Sequence, residues 1–269
     1  MFIKCFKYHG CGNDFIIINE NNTINYNDFA VKVCDRYSGI GADTLIVVSV
    51  KDIFEARFFN SDGTEAPMCG NGIRCAAKFL KDECNKDELK YIIKTSSGNR
   101  EVFFEDDLYK INMGKPIYSC LQLSINSDKE EFFEEKMNFE SKDIEVSAVY
   151  MTTHHLVINV NNFDDIEKMG KYFCNNKIFE KKINVNFVRI INEDEVSIKT
   201  YERGVGWTNA CGSGTCAVFA VLNRKKLIKN KMIAEYKYGK LIITKENDEI
   251  YMKGPAIRVA KDILFLYNK

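Results

Sequence analysis

Cys69-Gly70-Asn71-Gly72-Ile73-Arg74-Cys75-Ala76 has a counterpart later in the chain, Cys211-Gly212-Ser213-Gly214-Thr215-Cys216-Ala217. Each segment sets a cysteine before a Gly-x-Gly turn that opens onto an apolar, helix-like run. Glycines there let the backbone turn sharply and approach a ligand closely. Taken singly, either segment reads as a Gly-rich turn with an inert cysteine. Two copies with the thiol at the same offset argue instead for two structurally similar halves.

The flanking sequence supports the repeat. Ile111-Asn112-Met113-Gly114-Lys115-Pro116 closes one series of strand-like runs and Ile250-Tyr251-Met252-Lys253-Gly254-Pro255 closes another. Gly followed by Pro is a sensible stop for sheet pairing. In the first half the β-branched and aromatic runs lie at Met1–His9, Phe15–Asn19, Leu45–Ser49, Ala56–Asn60, Tyr91–Thr95, Arg100–Glu105 and Tyr109–Met113. Those of the second half lie at Ser147–Tyr150, Leu156–Val160, Phe187–Asn192, Glu195–Tyr201, Met232–Tyr236, Lys240–Lys245 and Glu249–Lys253. Helical periodicity predicts helices over Asp28–Tyr37, Gly72–Lys81, Asp165–Asn175 and Gly214–Arg224. The tail 256–269 reads as a strand returning to the first half, and the charged stretch Ser124–Lys142 as a surface insertion. The expected domains are therefore 1–115, joined by 256–269, and 116–255.

The 269 residues can bury a sizeable core, and 45% hydrophobic with 28% charged residues suits a soluble globular protein. Thirty-eight basic residues balance thirty-eight acidic ones, which points to neither nucleic acid nor a membrane surface. No run of about 18 uncharged apolar residues suggests a transmembrane helix. With Lys4 and Lys7 inside it, the N-terminal run reads as a strand and not as a signal peptide. A cytoplasmic location is the expectation, and the sequence admits a homodimer. Ten cysteines without a Cys-x-x-Cys pair, and only His9, His154 and His155 as imidazoles, predict neither a disulfide scaffold nor a zinc site. Cys5, Cys34, Cys84, Cys120 and Cys174 read as small buried residues, and Cys75 and Cys216 as packed one turn into their helices. Gly10-Cys11-Gly12 lacks the third glycine of a dinucleotide fingerprint, and no P-loop is present.

The chemistry-bearing residues are then the two thiols. A thiol at a helix N-terminus sits near unpaired N–H groups and the positive end of the helix dipole, which favours its thiolate. Two such thiols on opposite faces of a carbon can remove a proton from one face and deliver one to the other. That is the chemistry of a racemase with no cofactor. The backbone N–H groups of Gly70 and Asn71 suit an α-carboxylate, and His155 suits orienting a substrate or a thiol.

Lys7-Tyr8-His9-Gly10-Cys11-Gly12-Asn13-Asp14-Phe15, Phe59-Asn60-Ser61-Asp62-Gly63 through Arg74-Cys75, and Tyr201-Glu202-Arg203-Gly204 through Cys216-Ala217 resemble the diaminopimelate epimerases over the whole length. The resemblance implies an α/β (α+β) fold of two pseudo-symmetric domains. Each would be a curled, mostly antiparallel sheet around a central helix, with the active site between them. It places Cys69 and Cys211 on the catalytic cysteines and Gly70, Asn71, Gly212 and Ser213 around the reacting carboxylate. Asn13, Asn60, Asn184, Glu202 and Arg203 fall on substrate-contacting positions and His155 beside the site. It implies no cofactor and no metal, and a small amino acid as the partner.

Three departures bear on substrate. Thr153 replaces a substrate-binding Asn, Trp207 stands at a small-acid position, and Asp43-Thr44 replaces an Asp-Gln pair. The run Trp207 to Thr215 is also similar to a histidine racemase branch of the superfamily. The expectation from these is a racemase that favours histidine, its imidazole stacking on Trp207. The alternatives are an epimerase of L,L-diaminopimelate or a sulfur analogue, which the retained Arg203 favours, and a non-catalytic binder, which the paired thiols disfavour.

Overall fold

Short β-branched and aromatic runs make strands here, some buried on both faces and some on one, and each parallel joint between strands is bridged by a helix, as parallel pairing requires. The computed structural model describes residues 1–268. It divides into two units, Met1–Asn112 with the segment from Lys253 onward, and Met113–Met252.

The elements run β1 (Phe2–Gly10), β2 (Asn13–Asn19), α1 (Tyr26–Cys34), β3 (Thr44–Val50), β4 (Phe54–Asn60), β5 (Glu65–Ala66), α2 (Gly70–Glu83), β6 (Lys90–Thr95), β7 (Gly98–Glu105) and β8 (Leu108–Gly114). There follow β9 (Glu135–Phe139), β10 (Lys142–Met151), β11 (Thr153–Asn159), α3 (Ile166–Cys174), β12 (Asn184–Ile190), β13 (Glu195–Glu202), β14 (Gly206–Thr208), α4 (Gly212–Arg224), β15 (Lys231–Tyr236), β16 (Gly239–Glu246), β17 (Glu249–Gly254) and β18 (Ile257–Leu266). Pairing repeats. In the first unit β1 and β2 are antiparallel, β2 and β3 parallel, β3 and β4 antiparallel, β4 and β6 parallel, β6 and β7 antiparallel. In the second, β10, β11, β12, β13, β15 and β16 follow the same order and senses.

The fold is the expected mixed α/β repeat, sheet-dominated, with four helices among the described residues. Helix α2 packs on β1, β2, β3, β6 and β7, so the sheet curls around it; α1 covers β3 and β4. In the second unit α4 lies against β10, β11, β12 and β16, and α3 against β12 and β13. Strand β18 pairs antiparallel with β1, so the tail does return to the first unit. Residue 269 of that expected strand lies outside the described residues. No helix among them is long and apolar enough to cross a membrane.

Four expectations need correction. The central helices start at Gly70 and Gly212, two residues earlier than periodicity suggests. The Gly-x-Gly residues are the first helical turn and not a turn before it. Their glycines serve packing: a Cβ at Gly72 would stand 2.8 Å from the Phe58 ring, and one at Gly214 2.3 Å from Asn186 Oδ1. Helix α1 ends at Cys34, because Asp35 Oδ1 takes the N–H groups of Tyr37 and Ser38. The stretch Ser124–Lys142 is no mere surface insertion. Ile125, Phe132 and Phe139 are buried in the second core, and β9 pairs with β10. Cys84 is half-buried at the C-cap of α2, whereas Cys5, Cys34, Cys120 and Cys174 are buried as expected, with Cys75 and Cys216 on packed faces.

Candidate active site

Cys69 and Cys211 occupy the same structural position. Each is the N-cap of its unit's central helix, in extended backbone conformation (φ −125°, ψ 124° and φ −118°, ψ 109°). The first N–H groups of a helix have no intrahelical partner, so both helix starts offer donors to an anion. Residues Gly70, Asn71, Gly212 and Ser213 carry those groups.

In the first unit, the half-buried Cys69 donates its S–H to Asn13 Oδ1 at 3.4 Å. The Asn13 amide is oriented from its other end. Its Nδ2 donates to Asp43 Oδ2 at 2.7 Å, which leaves Oδ1 to accept from Cys69 and from Asn71 Nδ2 at 3.3 Å. Arg36 holds Asp43 and Asp14 together. Burial works against ionised Asp14, but hydrogen bonds from Arg36 and Lys7 outweigh it and hold the carboxyl below its ordinary range. Behind the helix start, the fully buried Arg74 donates to Asn71 Oδ1 at 2.9 Å and to Pro255 O. Asn60 closes the turn before α2, its amide donating to Thr64 Oγ1 at 3.0 Å.

In the second unit, the buried Cys211 Sγ accepts from Gly214 N at 3.4 Å and lies 3.6 Å from Ser213 Oγ. His155 Nε2 is 3.0 Å from that hydroxyl. Burial, seconded by the charges of His154 and Arg203, pushes the His155 imidazole down to about 3, so it stays neutral near pH 7. Arg203 is placed from three sides. Its N–H donates to Asn184 Oδ1 at 2.9 Å, and its guanidinium donates to Lys181 O and Thr153 Oγ1, each at 3.0 Å. Glu202 Oε1 accepts from Thr208 Oγ1 at 2.7 Å.

Trp207 is placed otherwise than expected. Its ring meets Tyr201 edge-on at 5.4 Å and Phe187 at 6.0 Å, and it lies close to Gly170 of α3. Strand alternation puts Asn184, Asn186, Thr200, Glu202 and Thr208 on one face and Val185, Phe187, Tyr201 and Trp207 on the other. The indole therefore belongs to the face covered by α3, whereas Cys211 caps α4. Thr153, by contrast, joins Arg203 directly.

Sequence reasoning passed over Asn186 and Thr200 and read Asp43 only as a departure from a motif. Asn186 is fully buried beside His155, and Thr200 donates to its Oδ1 at 3.1 Å. The usable signal was the polar and apolar alternation of Asn184-Val185-Asn186-Phe187 in a strand with both faces buried. Among the described residues no group of His, Cys, Asp and Glu could hold a metal ion.

The family model described as diaminopimelate epimerase matches residues 5–119 and 147–259. The chain belongs to the diaminopimelate epimerase family. Proteins named diaminopimelate epimerase from Alkaliphilus metalliredigens and Brachyspira hyodysenteriae are 37% and 39% identical to this family member. The alignments cover 98% of both chains in the first case, and 93% of this chain and 94% of the relative in the second. Among solved structures, a phenazine biosynthesis protein of the PhzF family from Bacillus anthracis shares the fold. Its TM-score is 0.73 at 14% identity, over 99% of this chain and all of that one. As a family member the chain is an isomerase of the epimerase and racemase kind.

Proposed function

We propose that this chain epimerises L,L-diaminopimelate at one α-carbon, using Cys69 and Cys211 as the two acid–base groups. The observation that carries the substrate is Arg203. Its guanidinium is anchored by Thr153 Oγ1 and Lys181 O, so a fixed fork is available for a second, distal carboxylate. The names of the relatives support the same choice. The histidine reading loses its stacking argument, because the Trp207 indole packs against Phe187, Tyr201 and α3.

The reaction needs one thiolate and one thiol at a single substrate carbon. The thiolate takes the α-proton and becomes a thiol; the other thiol gives its proton to the opposite face and becomes a thiolate. Nothing is consumed, and the pair ends with roles exchanged. The α-proton is very weakly acidic, so the developing carbanion must be stabilised. Helix N-termini aimed at the α-carboxylate supply fixed donors for that charge. This scheme assigns no step to a metal or to pyridoxal phosphate.

Steady-state kinetics test the substrate. The kcat/KM for L,L-diaminopimelate should exceed that for L-histidine by about a hundredfold or more. Arg203→Gln should lower it by a similar factor, since leaving a distal carboxylate unpaired costs about 2–5 kcal/mol. A higher kcat/KM for L-histidine would overturn the reading.

A further inference from the structure

We propose that a buried hydrogen-bond relay, Thr200–Asn186–His155–Ser213, holds Cys211 as the resting thiolate and leaves Cys69 as the resting thiol. The inference rests on the two-base reading and assigns its starting protonation states.

The two units differ beneath their catalytic helices. In the repeat, β2 corresponds to β11, β3 to β12 and β4 to β13, so Phe15, Ile46 and Phe58 correspond to His155, Asn186 and Thr200. The first three are buried, apolar, and packed against Gly72 of α2. The second three are equally buried but polar and hydrogen-bonded to one another. Burying a polar group without a partner is costly, and the polar trio is tolerated because each member finds one.

The directions of these bonds follow from groups that have only one role. Leu156 O can only accept, so the amide end 3.0 Å from it is Asn186 Nδ2. Thr200 Oγ1, 3.1 Å from the other end, donates to Oδ1. Asn186 Nδ2 also stands 3.2 Å from His155 Nδ1, which must then accept. The imidazole proton is thereby fixed on Nε2, which donates to Ser213 Oγ at 3.0 Å. Ser213 Oγ accepts from His155, and in the proposed resting state its own proton goes to Cys211 Sγ, 3.6 Å away. The sulfur also accepts from Gly214 N. Two donors aimed at one sulfur favour its thiolate. Burial, with the Arg203 charge nearby, keeps His155 neutral and preserves the relay's direction. Neither α2 nor α4 has an acidic residue in its first turn to oppose a thiolate. Cys69 is in the opposite situation. It makes no side-chain cap bond to its helix, and its S–H is spent on the carbonyl oxygen of Asn13. Donation to a carbonyl requires the protonated thiol.

Peptide-resolved alkylation with iodoacetamide, followed from pH 5 to 10 by mass spectrometry, reads each cysteine separately. The midpoint of each titration reports thiolate formation independently of how readily the reagent enters. In the unaltered protein the Cys211 midpoint should lie below that of Cys69. Ser213→Ala and Asn186→Leu should each raise the Cys211 midpoint by about one pH unit, a tenfold loss of thiolate well below it, with Cys69 unmoved. Thr200→Val, nearly isosteric, should shift Cys211 in the same direction and serves if Asn186→Leu does not fold. A Cys69 midpoint below that of Cys211, or a Cys211 midpoint indifferent to these changes, would overturn the proposal. Alkylation needs no substrate. The relay can therefore stand where the proposed reaction fails, and fail where the reaction stands.

Discussion

Cys69 and Cys211 cap equivalent helices yet have different surroundings, one donating to Asn13 and the other accepting from Gly214. A serine in either place is nearly isosteric but is far less able to carry the charge. Cys69→Ser and Cys211→Ser are each expected to lower epimerisation by about a thousandfold or more, with circular dichroism unchanged. Turnover near the unaltered rate from either variant would remove the two-base mechanism. His155 gives a second expectation, on stability. Its imidazole titrates near 6.5 when unfolded and is held at about 3 when folded. The folded-state value is depressed, so the unfolded state binds the extra proton below pH 6.5. The stability is fully present above that pH and is lost as pH falls from about 6.5 towards 3, at up to about 1.4 kcal/mol per pH unit. Urea unfolding at a series of pH values should show this slope, and His155→Gln should flatten it. An unchanged slope in the variant would show that His155 is not held neutral by the fold.

The glycines of the central helices decide how close α2 and α4 approach their sheets. Gly72→Ala would press a methyl group against the Phe58, Phe15 and Ile46 side chains, the nearest at 2.8 Å. Overpacking of this kind costs about 1–3 kcal/mol, partly offset by about 1 kcal/mol of helix propensity. A lower melting temperature is expected for Gly72→Ala. For Gly214→Ala the clash falls on Asn186 Oδ1, so kcat should suffer as well as stability; a melting temperature equal to or above that of the unaltered protein in both variants would contradict the packing account. The same glycines explain what the sequence concealed. β-Branched and aromatic runs such as Tyr91–Thr95 and periodicity in Ile73–Leu80 made strands and helices legible, and the paired thiols stood out by repetition. The helix starts did not, because a Gly-x-Gly segment looks like a turn until its close packing is seen. Asn186 and Thr200 were hidden for a related reason: a polar residue in a buried strand declares itself only through a partner from another strand. Trp207 misled because its face depends on the register of β14 with β13, a strand of three residues that leaves little pattern to read.

Taken over its whole length, the chain uses one supersecondary plan twice and lets the halves diverge where chemistry requires it. The repeat was visible in the Cys-Gly-x-Gly segments and the strand–Met–Gly–Pro breaks, and the matched order of parallel and antiparallel pairs bears it out. Divergence lies beneath the helices, where Phe15, Ile46 and Phe58 answer to His155, Asn186 and Thr200. Two similar units, each with one thiol capping its central helix, are what the proposed two-base reaction asks for, and the unequal surroundings of the thiols suit one that must start with a single base. Early turnover of L,L-diaminopimelate in D₂O, followed by NMR, tests this most directly. Two separate acid–base groups should give meso product carrying deuterium at the inverted carbon while recovered L,L-substrate still carries protium. Product that retains protium, or no inversion of this substrate at all, would contradict the account.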